Sequence, residues 1–240
     1  MDKSLFANKI KIYSDGADKA SMLEMAKNPN IQGLTTNPSL MKKAGITDYR
    51  TFCHEVLKEV KDKPISFEVF TDEIADMKRQ GLEINTWGKN VYVKIPISNS
   101  EGQSTIPLIK ELTQQGVKLN VTAIMTMQQT VDTVNALKGG APSIVSIFAG
   151  RIADTGRDPM ALMQAASMLC RGTDPKIELL WASTREVFNI VQAEQAGCHI
   201  ITVPPDLIKK MKMMNQDLNQ LSLETVRAFK ADAESAGFKL

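Results

Sequence analysis

A chain of 240 residues, 43% hydrophobic and 23% charged, carries enough apolar material for a substantial core and has an ordinary globular composition. Its 29 basic and 27 acidic side chains nearly cancel, and no long block of one sign occurs, so composition gives no basis for binding nucleic acid or a membrane surface. Two histidines, His54 and His199, and three widely spaced cysteines, Cys53, Cys170 and Cys198, argue against a transition-metal site and a disulfide framework; they suit reduced, buried thiols in a cytoplasmic protein.

The opening MDKSLFANKIKIYSDG has no apolar run long enough for a signal peptide or a membrane span. Its end, KIYSD (11–15), is the first β-rich run, and QGLTTN (32–37) is the second. A helical stretch, DYRTFCHEVLKEVKD, follows, with Phe52, Val56 and Val60 at steps of four. PISFEVF (64–70) and NVYVKIPI (90–97) are the third and fourth runs. The next helix lies in EGQSTIPLIKELTQQG, which offers a Ser104 cap, apolar Ile106, Ile109 and Leu112, and a terminal Gly116. KLNVTAI (118–124), SIVSIFAG (143–150), IELLWAS (177–183) and HIITVP (199–204) complete eight runs, with helical TREVFNIVQAEQAG between the last two. Arg157 and Asp158 read as loop-closing residues before a helix at Pro159, and Trp181 as barrel filling or a pocket wall. The Met-rich KKMKMMNQ suits packing of a helix on the body of the protein. The final SLETVRAFKADAESAGFKL (222–240) reads as one amphipathic helix more than eight units need, suited to covering the fold or clasping a neighbouring subunit.

Strands alternating with helices imply a parallel sheet with right-handed crossovers, and eight such units can close. The predicted fold is therefore a single-domain (β/α)8 TIM barrel over residues 1–240 with an extra C-terminal helix. An open doubly wound sheet is the competitor; the lack of GxGxxG after the first strand weakens its dinucleotide-binding version.

Barrel enzymes place their chemistry at the C-terminal ends of strands, and side chains alternate between the interior and the helices. In NVYVKIP, Tyr92 and Lys94 oppose Val91, Val93 and Ile95. Ser66 with Glu68, Asn120 with Thr122, and Ser146 with Phe148 likewise share parities opposite to apolar neighbours. Four strands with polar groups on one parity predict a pocket lined by Glu68, Lys94, Asn120, Thr122 and Ser146. A buried ammonium is costly unless paired. Lysine suits Schiff-base chemistry because burial disfavours its charge and a neutral amine attacks a ketone. A plain interior salt bridge between Lys94 and Glu68 is the non-catalytic alternative.

VYVKIP resembles the active-site lysine strand of the transaldolase family. GLTTNPSL (33–40), NVTAIMTMQQ, SIFAGRIADTGRDP and WASTRE resemble its other strand signatures in the same order, so the resemblance runs from Tyr13 to the last helix. The chain is short and resembles the compact branch, which includes fructose-6-phosphate aldolases. The resemblance implies that Lys94 forms an imine with the C2 ketone of a ketose phosphate, while Asp15 takes the C4 hydroxyl proton. It implies that Glu68 and Thr122 hold a proton-shuttling water, and that Asn37, Asn120 and Ser183 bind sugar hydroxyls with Ser146 close to the imine. Arg151 and Arg185 would bind the phosphate. Asp15 and Asn37, beside Gly and Pro, have turn or helix-capping roles as the alternative, and the two arginines surface ion pairs; the functional readings are preferred. No cofactor or metal is implied, and a ring-based homo-oligomer is.

Within that family the resemblance distinguishes transaldolases, with Glu on the third strand and Phe on the sixth, from the aldolases, with Gln and Tyr. Glu68 and Phe148 stand on the transaldolase side: a pentose-phosphate-type transfer of a dihydroxyacetone unit between sugar phosphates. Fructose-6-phosphate aldolase, releasing dihydroxyacetone, remains the alternative. A non-catalytic sugar-phosphate-binding barrel is another; a metal-dependent aldolase fits poorly with two histidines.

Overall fold

Short runs in which β-branched and aromatic residues alternate with polar ones become eight parallel strands in a computed structural model that describes residues 10–237. The opening MDKSLFANK, where no leader is expected, and the closing Phe238 to Leu240 lie outside the described residues. The strands are β1 (Lys11–Asp15), β2 (Gly33–Thr35), β3 (Ile65–Glu68), β4 (Val91–Pro96), β5 (Leu119–Ile124), β6 (Ser143–Ile147), β7 (Ile177–Trp181) and β8 (Ile200–Val203). They pair in chain order and β8 returns to β1, closing the barrel.

The helices are α1 (Lys19–Lys27), α2 (Pro38–Lys43), α3 (Tyr49–Glu59), α4 (Ile74–Asn85), α5 (Ile106–Gln114) and α6 (Met127–Leu137). They continue with α7 (Ala149–Asp154), α8 (Met160–Thr173), α9 (Phe188–Gln195), α10 (Pro205–Lys210) and α11 (Leu218–Ser235). The architecture is a (β/α)8 TIM barrel with an additional C-terminal helix.

Two cores hold the barrel. The larger lies between strands and helices, where outward Ile65, Phe67, Val93, Ile95 and Val121 are fully buried. Each such side chain contributes about 1.5–3 kcal/mol of burial free energy. Trp181 belongs to this outer layer, so it fills neither the barrel interior nor the pocket wall. The smaller core fills the lower barrel with Tyr13, Ile144, Leu180 and Ile200, against which Tyr92 packs. Gly33 faces Tyr13 across the β1–β2 register, and a Cβ there would collide with the tyrosine ring. The three cysteines are free and buried; burial pushes the Cys170 and Cys198 thiols up to about 12.

Several local expectations shift. The run 143–150 does not stay extended: strand β6 ends at Ile147, Phe148 caps α7, and Ala149 opens that helix. The cap of α5 is Thr105, whose hydroxyl bonds the Pro96 carbonyl at 2.5 Å, while Ser104 Oγ accepts from the Ile106 amide at 3.3 Å. Helix α11 starts at Leu218, where the Asp217 carboxylate accepts from the Gln220 amide at 2.9 Å; none of its residues is buried. Arg157 and Asp158 close their loop through local bonds to Thr155 Oγ1 and the Met160 amide. In the Met-rich run, Met211 is buried and Met213 is exposed.

Candidate active site

Strand register builds the centre of the site. Glu68 pairs with Lys94, and Lys94 with Asn120, so three inward side chains of β3, β4 and β5 stand in one row. Lys94 Nζ lies 3.1 Å from Glu68 Oε2 and donates to the Thr36 carbonyl at 3.0 Å. Lys94 is 7% exposed, and among the described residues only Asp174 is another buried charged side chain. Asp174 is accounted for by the backbone amides of Gly139 and Lys176. Lys94 therefore meets the requirement that a buried ammonium be paired and hydrogen-bonded. Asn120 spans its neighbours: its Nδ2 donates to Ser66 Oγ at 2.9 Å, and its Oδ1 accepts from Ser146 Oγ at 2.6 Å.

The end of β5 is irregular. Its register with β6 shifts between Val121 and Ile124, and Ala123 takes a φ of 62°. Thr122 lines the cavity there; its Oγ1 is buried and bonded by no protein group, which leaves it available to a ligand or water.

Asp15 ends β1 and accepts from Thr35 Oγ1 at 2.8 Å; Thr35 in turn shares a hydroxyl contact with Thr202. Burial raises the Asp15 carboxyl above its usual range, against the lowering influence of Lys94 and of the Thr35 hydrogen bond; Glu68 adds to the rise. Asn37 does two things: its Oδ1 caps α2 by accepting from the Leu40 amide at 2.9 Å, and the residue lines the cavity. Ser183 adopts a φ of 67°, a region non-glycine residues seldom occupy. Its carbonyl fills the space where Gly150 would carry a Cβ, which packs the start of α7 against the loop after β7. Phe148 and Arg151 form one wall, the guanidinium 5.4 Å from the ring centroid.

These groups surround a cavity of about 320 Å³ at the C-terminal ends of the strands, large enough for a small polar ligand. Of the sequence-derived residues, only Arg185 is not in its lining. Arg185 forks onto Asp154, with bonds of 3.1 Å from Nε and 2.5 Å from Nη2, in an exposed pair. That pairing holds the Asp154 carboxyl below its ordinary range. Sequence reasoning missed Thr35 and Thr202, both lining the cavity. The signal was present, since each sits two residues beyond an interior position of its strand, Gly33 or Ile200. The Thr36 carbonyl carried no such signal, being main chain.

Fold and site together define a barrel enzyme centred on a buried, paired lysine in a pocket of hydroxyls, amides and carboxylates. The chain belongs to the Transaldolase/Fructose-6-phosphate aldolase family, whose sequence profile matches residues 12–240. It is 34% identical over 234 residues to a "Probable transaldolase" of Thermoanaerobacter sp., covering 96% of this chain and 100% of that protein. A "Probable transaldolase" of Dehalococcoides mccartyi is 31% identical over 226 residues, covering 94% and 99%. One of Methanococcus maripaludis is 33% identical over 229 residues, covering 94% and 98%. No helix among the described residues is long and apolar enough to cross a membrane, and no group of three or more His, Cys, Asp or Glu among them is placed to hold a metal ion.

Proposed function

We propose that the protein is a transaldolase that moves a dihydroxyacetone unit from a ketose phosphate, sedoheptulose 7-phosphate or fructose 6-phosphate, to glyceraldehyde 3-phosphate or erythrose 4-phosphate. The observation that carries the reading is the buried Lys94 paired to Glu68 at 3.1 Å in a cavity that Asp15 and Thr122 also line. Glu68 takes a proton from the Lys94 ammonium, and the neutral Nζ adds to the C2 ketone; loss of water from the carbinolamine gives the imine. Glu68, with a water bound at Thr122, moves the protons of that dehydration. Asp15 accepts the C4 hydroxyl proton as the C3–C4 bond breaks, the bonding electrons pass into the imine, and an aldose phosphate leaves. The resulting enamine attacks the aldehyde carbon of the acceptor through C3, and Asp15 returns the proton to the new hydroxyl. Hydrolysis of the imine frees the product ketose and Lys94.

Asn37, Asn120 and Ser183 line the cavity and are suited to sugar hydroxyls; Ser146 lines it too and would stand close to the imine. Arg151 faces the cavity and takes the phosphate; Arg185 joins it by exchanging Asp154 for the dianion. Phe148 places a ring without a hydroxyl in the cavity wall, where a phenol would offer a further site for water, and this disfavours hydrolysis and release of dihydroxyacetone. Such a transfer belongs to the pentose phosphate route in the cytoplasm, carried out by a single domain over residues 1–240.

A homo-oligomer completes the proposal. Leu218, Leu223, Val226 and Phe229 of α11 are exposed, and an 18-residue helix without a buried face needs a partner to be stable. Light scattering of the full chain should read a mass above that of the monomer; a monomer would refute this part.

The deciding assay supplies fructose 6-phosphate with and without erythrose 4-phosphate, and traps the complex with borohydride. Imine trapping at Lys94 and turnover that depends on the acceptor are expected. Steady release of dihydroxyacetone without an acceptor, at the rate of transfer, would make the protein an aldolase; no trapped imine would make it a binder.

A further inference from the structure

The Lys94 partner, Glu68, is the last residue of β3, where regular pairing with β2 gives out. The main-chain series between these strands runs from the Leu34 amide to the Pro64 carbonyl at 2.8 Å and from the Thr36 amide to the Ser66 carbonyl at 3.3 Å. The next member of that series would join residue 38 to the Glu68 carbonyl. Residue 38 is Pro38, which has no N–H and already belongs to α2. Glu68 therefore needs a donor that the sheet does not supply.

Tyr49, the first residue of α3, is that donor. Its hydroxyl donates to the Glu68 carbonyl at 2.8 Å. The phenol is well placed to be rigid. Phe70 meets its ring edge-on at 5.0 Å between centroids, and Trp87 lies 6.1 Å away. Trp87 also contacts Phe67, so the cluster is tied back into β3. The α3 start itself is fixed by Asp48, whose carboxylate accepts from the Thr51 amide at 3.0 Å and the Thr51 hydroxyl at 2.7 Å. Burial pushes the phenol's pKa up, which keeps it a donor. On the other side of Glu68, the Val69 amide donates to the Lys94 carbonyl at 3.1 Å and the Phe70 amide to Gln80 at 3.0 Å. Tyr49 is the only group that donates to the Glu68 carbonyl among the described residues.

We infer that Tyr49 is a positioning residue for the reaction: by holding the Glu68 carbonyl, its hydroxyl fixes the carboxylate that faces Lys94. It touches neither substrate nor Lys94, and it lies outside the lining of the central cavity. The inference rests on the transaldolase reading for its kinetic consequences, though its geometric consequence does not depend on any substrate.

The test is Tyr49→Phe, which removes one oxygen and keeps the ring cluster, alone and combined with Glu68→Gln. The single variant should lose about tenfold in kcat with KM within about twofold, and its pH profile of turnover should change shape. In the Glu68→Gln background the same change should cost nothing further, because the group it positions has already lost its proton-transfer capacity. A crystal structure of Tyr49→Phe should show Glu68 Oε2 displaced from Lys94 Nζ. Unchanged kcat and pH profile, a loss that multiplies fully with that of Glu68→Gln, or an unmoved Glu68 would each overturn the inference. Failure of the wild type to form an imine would instead strike the transaldolase reading, and the crystal structure would still decide the role of Tyr49.

Discussion

The two ends of the barrel interior share eight strands and one inward parity, yet they have opposite chemistry. The lower end is closed by Tyr13, Tyr92, Ile144, Leu180 and Ile200. Two residues further along four of the same strands stand Asp15, Lys94, Ser146 and Thr202. That step is about 7 Å of strand. Over this short distance the interior passes from a layer that lowers the free energy of the fold to one that raises it, since buried charges and hydroxyls lose hydration. A barrel can keep a costly polar pocket because the apolar floor and the outer core do not depend on it.

The largest effect should come from the upper layer. Lys94→Met should end imine formation and reduce turnover by about four or more orders of magnitude while the fold survives. Borohydride labelling of the variant at another lysine with fructose 6-phosphate would refute the assignment. The lower layer should behave in the opposite way. Ile200→Ala, in the fully buried floor, should cost about 2–5 kcal/mol of stability by leaving a cavity, with kcat within a few-fold of the parent at a temperature where the chain is folded. Chemical denaturation and steady-state kinetics on one preparation would measure both; a collapse in kcat without loss of stability would dissolve the division between the layers.

The mouth of the pocket should show a third behaviour, an effect on binding. Arg151→Ala should raise KM for phosphorylated donors by roughly tenfold to a hundredfold, near 1.5–3 kcal/mol for a charge-assisted contact. Unphosphorylated ketoses should be affected much less. Equal losses on both kinds of donor would remove Arg151 from the phosphate site.

These contrasts follow parities that can be read without coordinates. Eight strands, and the inward placement of Glu68, Lys94, Asn120, Thr122 and Ser146, follow from alternation alone, because a two-residue period fixes which face a side chain takes. The same rule would have yielded Thr35 and Thr202. Features set by tertiary contact were not legible. Phe148 looks like strand, but the loop after β7 folds over Gly150 and turns the chain into α7. Arg185 follows a strand end like Arg151, yet its side chain meets Asp154, 31 positions back in sequence. Asn37 proved both cap and pocket residue, and local sequence signals both without choosing.

Smaller effects sharpen the comparison through pH. Burial raises the Asp15 carboxyl, so the folded chain holds that proton at pH values where the unfolded chain, near 3.8, has lost it. Stability therefore falls as pH rises through this window, and ionised Asp15 costs stability at neutral pH. Asp15→Asn should raise the unfolding midpoint at pH 7 by about 2–4 °C while abolishing C3–C4 cleavage. Calorimetry showing a lower midpoint would contradict the burial argument. At the base of the barrel the sign is reversed. His199 Nδ1 accepts from the Leu179 amide at 2.9 Å, and burial, with Arg171 and Lys11 nearby, lowers its pKa against the pull of Glu178. Its contribution is present above the ordinary 6.5 and is lost as pH falls below it, because the unfolded chain takes the proton first. Melting scans from pH 7 to 5 should show about one or two degrees more decline for the wild type than for His199→Asn. Parallel curves would remove His199 from the account.

Gly150 gives the site an unusual dependency. The Ser183 carbonyl occupies the volume of its missing side chain, and Ser183 holds a left-handed φ of 67° beside it. Arg151 is the next residue, and Phe148 stands two before. Any larger residue at 150 must open the seam between β6 and β7, and in doing so it would swing the cation, the aromatic wall and the serine out of alignment together. The evolutionary freedom of three pocket residues is thus limited by a residue that offers a ligand nothing: new specificities can be explored by changing those side chains, but not by moving the backbone that carries them.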